Sequence, residues 1–164
     1  ITPYVNRGVS GIDGIIATTV GIALSKTNTN TSENSHPIWC VIGDLACLHD
    51  LNSMALLSKE ALPIKLLLIN NNGGKIFKEL PIANHPHFET YMDTPHDLNF
   101  EHIAAQFQVG YTVVKTAGQL SAAIEETQRC PGPELIECQV DPNVIDTHKE
   151  LLNSATQTTV SFLS

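Results

Sequence analysis

The chain has 164 residues, 42% of them hydrophobic and 16% charged, a composition that suits one globular domain and excludes a disordered chain. Seventeen acidic residues against nine basic ones give a formal net charge of −8, and the absence of a basic stripe argues against nucleic-acid binding. No apolar run approaches the roughly 20 residues that a membrane-spanning helix needs, so no membrane span is predicted.

The ends of the chain and its cysteines bear on its origin. No basic region leads into an apolar stretch near the N-terminus, so no secretory signal is visible. The four cysteines form no Cys-x-x-Cys pair, and we interpret them as free thiols of a reducing compartment, the cytoplasm. Because the chain lacks an initiator Met and starts abruptly, we expect residues 1–164 to be a single domain of a longer polypeptide.

The first half of the chain predicts three strands and two helices. Residues 3–5 are predicted as a short strand. Apolar residues at helical spacing then predict a helix at residues 10–26. A continuous apolar, β-branched run predicts a strand at residues 38–42 that is buried on both faces of a parallel sheet. A second helix at residues 48–61 and a second buried strand at residues 64–69 follow.

The second half continues the alternation after an irregular segment. Residues 74–95 show little periodicity, which is typical of active-site covers and mobile loops. Helices are predicted at residues 98–107 and 117–129, and strands at residues 111–114 and 135–140. Strands that alternate with helices predict an α/β fold, a doubly wound parallel sheet with helices on both faces.

Polar residues follow two consecutive strands of this predicted sheet. Gly43 and Asp44 end one strand, and Asn-Asn-Asn-Gly-Gly at residues 70–74 ends the next. Ligands of open α/β sheets bind beyond the carboxyl ends of the strands, where these tips meet if the strands are neighbours. Mg²⁺ prefers oxygen ligands shared with phosphate, and Asp44, Asn71 and the Gly73 carbonyl offer three. The simpler alternative is that such residues only cap helices and turns.

Three motifs carry a resemblance to a known family. They are Asn-Arg-Gly-Val-Ser-Gly-Ile-Asp-Gly at residues 6–14, Gly-Asp-Leu at residues 43–45 with Asp-Leu-Asn at 50–52, and Asn-Asn-Asn-Gly-Gly-Lys-Ile-Phe at 70–77. Together they resemble the 2-succinyl-5-enolpyruvyl-6-hydroxy-3-cyclohexene-1-carboxylate synthase (SEPHCHC synthase) branch of the thiamine-diphosphate-dependent enzymes. The resemblance covers nearly the whole chain, but only the C-terminal, diphosphate-binding domain of that enzyme.

The resemblance implies roles for individual residues. Asp44, Asn71 and the Gly73 carbonyl would hold Mg²⁺ or Mn²⁺, and Ile12 would wedge between the two rings of thiamine diphosphate. Other implied cofactor contacts are Ser10, Gly43, Leu45 and Gly74. The implied substrate contacts are Arg7, which would bind a carboxylate, and the apolar pocket residues Ile76 and Phe77.

The same resemblance implies the reaction and the partners. The full enzyme would be a transferase of menaquinone biosynthesis that decarboxylates 2-oxoglutarate and adds the succinyl unit to isochorismate. The Glu that activates the cofactor would lie on an N-terminal pyrimidine-binding domain, usually that of a second subunit, in a homo-oligomer. No catalytic residue is expected in this chain, and the isolated domain is expected to be inactive.

Several alternatives remain open at this point. Ala46 replaces an expected hydroxyl residue, and Lys75 replaces an expected Gln and would change the charge near the pocket. Another thiamine-diphosphate-dependent lyase related to acetolactate synthase is the first rival function, and a noncatalytic flavodoxin-like interaction domain is the second. Four histidines suggest zinc, but no Cys lies close, and we interpret them as solvated loop residues: His85, His87, His96 and His102.

Overall fold

The computed structural model describes residues 2–5, 11–27, 36–60 and 62–142. Helices and strands alternate through this part of the chain, with the bounds α1 Ile15–Thr27, β1 Ile38–Gly43, α2 Asp44–His49, α3 Met54–Glu60, β2 Ile64–Asn70, α4 Phe100–Gln106, β3 Gly110–Val114, α5 Ala117–Thr127 and β4 Glu134–Gln139. Between β2 and α4 the chain forms only short turns of 3-10 or π-helix. None of the helices in these ranges has the length and apolar character needed to cross a bilayer.

The four strands form one parallel sheet in the order β1-β2-β4-β3. Parallel strands are covered on both faces and therefore often contain continuous apolar runs, and β1 and β2 were predicted as buried strands of this kind. The predicted α/β fold with a doubly wound parallel sheet is confirmed. The strand order also makes β1 and β2 direct neighbours, with Gly43 opposite Ile69.

Two hydrophobic layers lie on the two faces of the sheet. The larger one packs α1, α2, α3 and α4 against alternate residues of β1 and β2, including Cys40, Ile42, Leu66 and Leu68. The smaller one packs α5 against the opposite face of β3 and β4. The cysteines of the described ranges are free thiols, as predicted, and those of Cys40, Cys47 and Cys138 are buried. Burial raises the pKa of Cys47 to about 12, so this thiol stays protonated and unreactive at neutral pH.

Three predicted boundaries are wrong. Residues 3–5 form no strand, and Val5 is 83% exposed rather than packed into the sheet. Helix α1 begins at Ile15 rather than at residue 10, because Gly11 and Gly14 have φ values of 74° and 64°. The predicted helix at residues 48–61 begins earlier, at Asp44, and a 3-10 turn at Leu51–Ser53 divides it into α2 and α3.

A buried lysine occupies the apolar strand β2. Lys65 is fully buried, and its ammonium donates hydrogen bonds to the carbonyls of Cys130 and Gly132, each at 2.8 Å. Burial lowers the pKa of Lys65, while the nearby Glu134 opposes this shift. The side chain thereby ties the turn before β4 to the centre of the sheet.

The start of helix α1 is capped by a residue from another element. One carboxylate oxygen of Asp50 accepts hydrogen bonds from the N–H groups of Ile16 and Ala17, at 2.6 and 3.3 Å. The other oxygen accepts the Ser53 hydroxyl at 2.6 Å. The first N–H groups of a helix lack partners within it and carry partial positive charge, so a carboxylate there is stabilising. Asp50 therefore anchors α1 to the end of α2.

We expect Asp50→Ala to lower the free energy of unfolding by about 1 to 2 kcal/mol, because both helix N–H groups lose their acceptor. Urea denaturation measures this change. The control is Glu125→Ala on the exposed side of α5, which should stay within about 0.5 kcal/mol of the parent. Equal stability of the two variants would contradict the capping role.

Candidate functional site

The two polar strand tips meet at one edge of the sheet, as the sequence predicted. Since Gly43 lies opposite Ile69 in the parallel ladder, the next residues along the two strands, Asp44 and Asn70, lie side by side at this edge. Helix α2 begins directly at Asp44. The chain after Asn70 instead turns back across the edge toward Asp44.

Asp44 is the carboxylate at the centre of this edge, and it is only 3% exposed. Its Oδ2 accepts the Gly73 N–H at 2.8 Å, and its Oδ1 accepts the Leu45 N–H at 2.7 Å. A buried carboxylate needs such donors, because an unsatisfied one would cost several kcal/mol. The hydrogen bond from Gly73 to Asp44 therefore joins the tips of β2 and β1.

The turn at residues 70–74 requires its glycines. Asn70 Oδ1 accepts the Asn72 N–H at 3.0 Å, and Asn72 and Gly73 then adopt φ values of 59° and 129°. A Cβ atom on Gly73 would lie 2.3 Å from the Asp93 carbonyl oxygen, and one on Gly74 would lie 2.6 Å from that of Met92. Only glycine permits this close approach between backbones.

A second buried carboxylate, Glu137 of β4, holds the turn through the side chain of Asn70. Glu137 Oε1 accepts hydrogen bonds from the side-chain amides of Asn70 at 2.7 Å and Gln139 at 3.1 Å. Its Oε2 accepts the Tyr111 hydroxyl at 2.6 Å. Burial and the hydrogen bond to Glu137 raise the pKa of Tyr111, so the phenol stays a donor. Glu137 was not predicted as a site residue, although a lone carboxylate inside an apolar strand indicates a polar contact at that position.

His96 also contacts Asp44. Its Nε2 lies 3.2 Å from Asp44 Oδ2, and its side chain is only 10% exposed. The interpretation of His96 as a solvated loop residue is therefore wrong, because the chain folds back and buries the ring. His85, His87 and His102 are exposed, as that interpretation expects, although His102 lies on α4 and not in a loop.

Lys75 and Asp93 form a buried ion pair beside the turn. Their side chains meet at 2.6 Å, and the Asp93 carbonyl accepts the Gly74 N–H at the same distance. The positive charge of Lys75 is neutralised within the fold and does not alter the charge of an open pocket, in contrast to the expectation from the sequence. The second carboxylate oxygen of Asp93, Oδ1, is buried and has no hydrogen-bond partner.

The remaining predicted site residues lie around this edge or outside the described ranges. Asn71 is partly buried, and its side chain makes no hydrogen bond with any described residue. Ile12 and Ile76 are 37% and 71% exposed, while Phe77 is partly buried with its ring against Gly74. The predicted contacts Arg7 and Ser10 are not among the described residues.

The described ranges contain no cluster of three or more His, Cys, Asp and Glu side chains that could hold a metal ion. The predicted ligand set is of another kind, because it combines one carboxylate with an amide oxygen and a backbone carbonyl. Such a set of hard oxygen donors suits Mg²⁺, which takes its other ligands from phosphate and water.

Comparison with known proteins identifies the family. The model of the family described as "Thiamine pyrophosphate enzyme, C-terminal TPP binding domain" matches residues 4–138. The chain belongs to this family. Thiamine pyrophosphate is thiamine diphosphate, so the cofactor class implied by the strand-tip motifs of this TPP-binding domain is confirmed.

Curated relatives of the TPP-binding domain bear the name that the motifs implied. The protein from Rubrobacter xylanophilus named SEPHCHC synthase is 44% identical over 152 residues, which cover 92% of this chain and 25% of the relative. A protein of the same name from Aeromonas salmonicida is 40% identical over 155 residues, 92% of this chain and 26% of the relative. The chain thus spans about a quarter of the length of these relatives.

Solved structures support the fold of the TPP-binding domain. Benzoylformate decarboxylase from Polynucleobacter necessarius superposes with a TM-score of 0.70 at 18% identity, over 82% of this chain and 24% of the other. A thiamine diphosphate-dependent 4-hydroxybenzoylformate decarboxylase from Rhodococcus jostii gives a TM-score of 0.65 at 19% identity, over 80% of this chain and 23% of the other. At these identities the likeness extends to the fold alone.

We expect Tyr111→Phe to lower the free energy of unfolding by about 1 to 3 kcal/mol, because Glu137 Oε2 loses its donor while it stays buried. Tyr91→Phe is the matched control, since Tyr91 is 73% exposed, and it should stay within about 0.5 kcal/mol of the parent. Chemical denaturation of both variants makes the comparison. A neutral Tyr111→Phe would show that Glu137 does not depend on the phenol.

Proposed function

We propose that this domain binds the diphosphate of thiamine diphosphate through one Mg²⁺, or Mn²⁺, held by Asp44, Asn71 and the Gly73 carbonyl. The observation that carries the proposal is the 2.8 Å hydrogen bond from the Gly73 N–H to the Asp44 carboxylate. It brings the glycine turn and the only acidic residue of the predicted ligand set together at the edge where ligands of parallel sheets bind.

The donors of these three residues fit a hard divalent cation. Asp44 Oδ1 accepts one N–H, from Leu45, and a carboxylate oxygen has room for a second partner. The side-chain amide of Asn71 makes no hydrogen bond within the described ranges, so its oxygen is available. At Gly73 the lack of a Cβ lets the backbone pass close to the Asp93 carbonyl, and the Gly73 N–H donates to Asp44. Two diphosphate oxygens and water would complete the six ligands that Mg²⁺ prefers.

The other predicted residues serve the cofactor and the substrates in this proposal. Gly43, Leu45, Gly74 and Ser10 contact the cofactor, and Ile12 packs between its two rings. The exposed Ile76 and its neighbour Phe77 offer an apolar wall to the substrate, while Arg7 binds a substrate carboxylate. Bound thiamine diphosphate supplies the electron sink that a 2-oxoacid decarboxylation needs.

We further propose that the domain is part of a SEPHCHC synthase that decarboxylates 2-oxoglutarate and adds the succinyl unit to isochorismate. The names of the curated relatives support this reaction. The Glu that activates the cofactor comes from an N-terminal pyrimidine-binding domain of a second subunit in a homo-oligomer. The exposed apolar side chains Ile76, Leu80 and Tyr91 near the site agree with such a covered surface. By itself the domain is inactive.

Binding of the cofactor is tested by thermal unfolding of the full-length enzyme. Thiamine diphosphate with Mg²⁺, each at about 100 times its dissociation constant, should stabilise the parent by about 3 kcal/mol, and EDTA should abolish the effect. Asp44→Asn should lose the stabilisation because the amide cannot replace an anionic metal ligand. Glu125→Gln, the same change at an exposed site, should keep it. Stabilisation of Asp44→Asn equal to that of the parent would refute the ligand assignment.

The reaction is tested with the same full-length enzyme and two 2-oxoacids. With isochorismate present, 2-oxoglutarate should be decarboxylated at least 100-fold faster than pyruvate, because the distal carboxylate needs a basic contact such as Arg7. Carbon dioxide release measures both rates. A preference for pyruvate would favour a relative of acetolactate synthase, and no turnover despite cofactor binding would favour a noncatalytic domain.

A further inference from the structure

A segment far from both strand tips in sequence closes over the candidate site. We call residues 93–98 the return segment. Its His96 and Asp97 N–H groups donate to Asn72 Oδ1 at 3.1 and 3.0 Å, and Asn72 Nδ2 donates to Asp97 Oδ1 at 2.8 Å. Thr94 and Asp97 adopt left-handed backbone conformations, with φ values of 44° and 49°. The return segment is thus bound to the glycine turn through the side chain of Asn72.

The return segment places the imidazole of His96 beside Asp44. The hydrogen bonds of the ring show which of its two nitrogens carries the hydrogen. His96 Nδ1 accepts the Leu98 N–H at 3.0 Å, so this nitrogen carries no hydrogen. The hydrogen therefore lies on Nε2, which faces Asp44 Oδ2 at 3.2 Å and donates to it. The edge of the ring also packs against Phe100, with centroids 5.9 Å apart. Three contacts from three sides hold the imidazole in one orientation.

These contacts make the two oxygens of Asp44 unequal. Oδ2 accepts two hydrogen bonds, from the Gly73 N–H and from His96 Nε2, and both of its lone pairs are used. From the residues that the structure describes, Oδ1 accepts only the Leu45 N–H, which leaves one lone pair for another partner. The carboxylate is therefore oriented before any cation arrives, with a single oxygen position left for it.

We propose that His96 is a positioning residue for the metal site, which it serves by fixing the Asp44 carboxylate so that Oδ1 is the oxygen presented to the cation. This inference rests on the proposed function. A ligand fixed in advance loses no rotational freedom when the metal binds, and loss of such an outer hydrogen bond typically weakens metal affinity by about 10- to 100-fold. The role is separate from catalysis, because the two ring nitrogens of His96 are engaged by Asp44 and by the Leu98 N–H.

The test compares three replacements in the full-length enzyme, with Mn²⁺ as the probe and saturating thiamine diphosphate present. His96→Ala removes both nitrogens. His96→Gln places an amide N–H near the position of Nε2 and keeps the donor to Asp44. His96→Asn places an amide oxygen near the position of Nδ1, where it can accept the Leu98 N–H but cannot reach Asp44. Electron paramagnetic resonance measures free Mn²⁺ and so yields the dissociation constant without any turnover.

We expect the dissociation constant for Mn²⁺ to rise about 10- to 100-fold in His96→Ala and His96→Asn, and to stay within about threefold of the parent in His96→Gln. Unchanged affinity in all three variants would overturn the inference. Rescue by Asn but not by Gln would also overturn it, because the role of His96 would then be to hold Leu98.

Two controls separate this outcome from other failures. Circular dichroism and thermal unfolding without metal show whether each variant folds, and the Gln and Asn variants, which have similar size and polarity, are compared only when both fold. Failure of the parent enzyme itself to bind Mn²⁺ with thiamine diphosphate would refute the proposed function. Normal binding by the parent and equally tight binding by His96→Ala would refute only the role of His96.

Discussion

A carboxylate buried at the end of a strand must be surrounded by hydrogen-bond donors, and this requirement at Asp44 shapes the whole edge of the sheet. The nearest donors belong to Leu45, Gly73 and His96, which come from three different segments of the chain. Leu45 directly follows Asp44 in the chain, whereas Gly73 and His96 lie in segments that fold back to the carboxylate. The turn after β2 and the return segment therefore meet at Asp44, where each donates one hydrogen bond to the buried carboxylate.

Other acidic side chains of the fold also find their partners in distant elements. Asp50 is satisfied by the first N–H groups of α1 and Glu137 by two amides and a phenol, while one oxygen of Asp93 pairs with the ammonium of Lys75. Each acidic group joins elements that are distant in sequence. Because a buried acceptor that loses its donor costs more than an ordinary hydrogen bond contributes, these groups specify one arrangement of the loops above the sheet.

The net charge of the chain is negative, and this limits how it can attract an anionic cofactor. With a formal net charge of −8, long-range attraction does not favour a diphosphate. Attraction must come from nearby N–H groups and from a local cation, which the proposed ligand set would hold. In the proposed function this domain supplies the metal and diphosphate contacts, and the Glu that activates the cofactor comes from a second domain.

By itself, the sequence determined the alternation of strands and helices, the parallel sheet and the two strand tips, because apolar periodicity and strand-end polarity are local properties. It did not determine where α1 begins, since the positive φ values of Gly11 and Gly14 are visible only in the backbone. Only the tertiary structure decided that His96 and Glu137 belong to the site. His96 lies 52 residues from Asp44, and Glu137 lies 67 from Asn70. The energy of such contacts comes from burying polar groups against each other, and no local pattern records which pairs will meet.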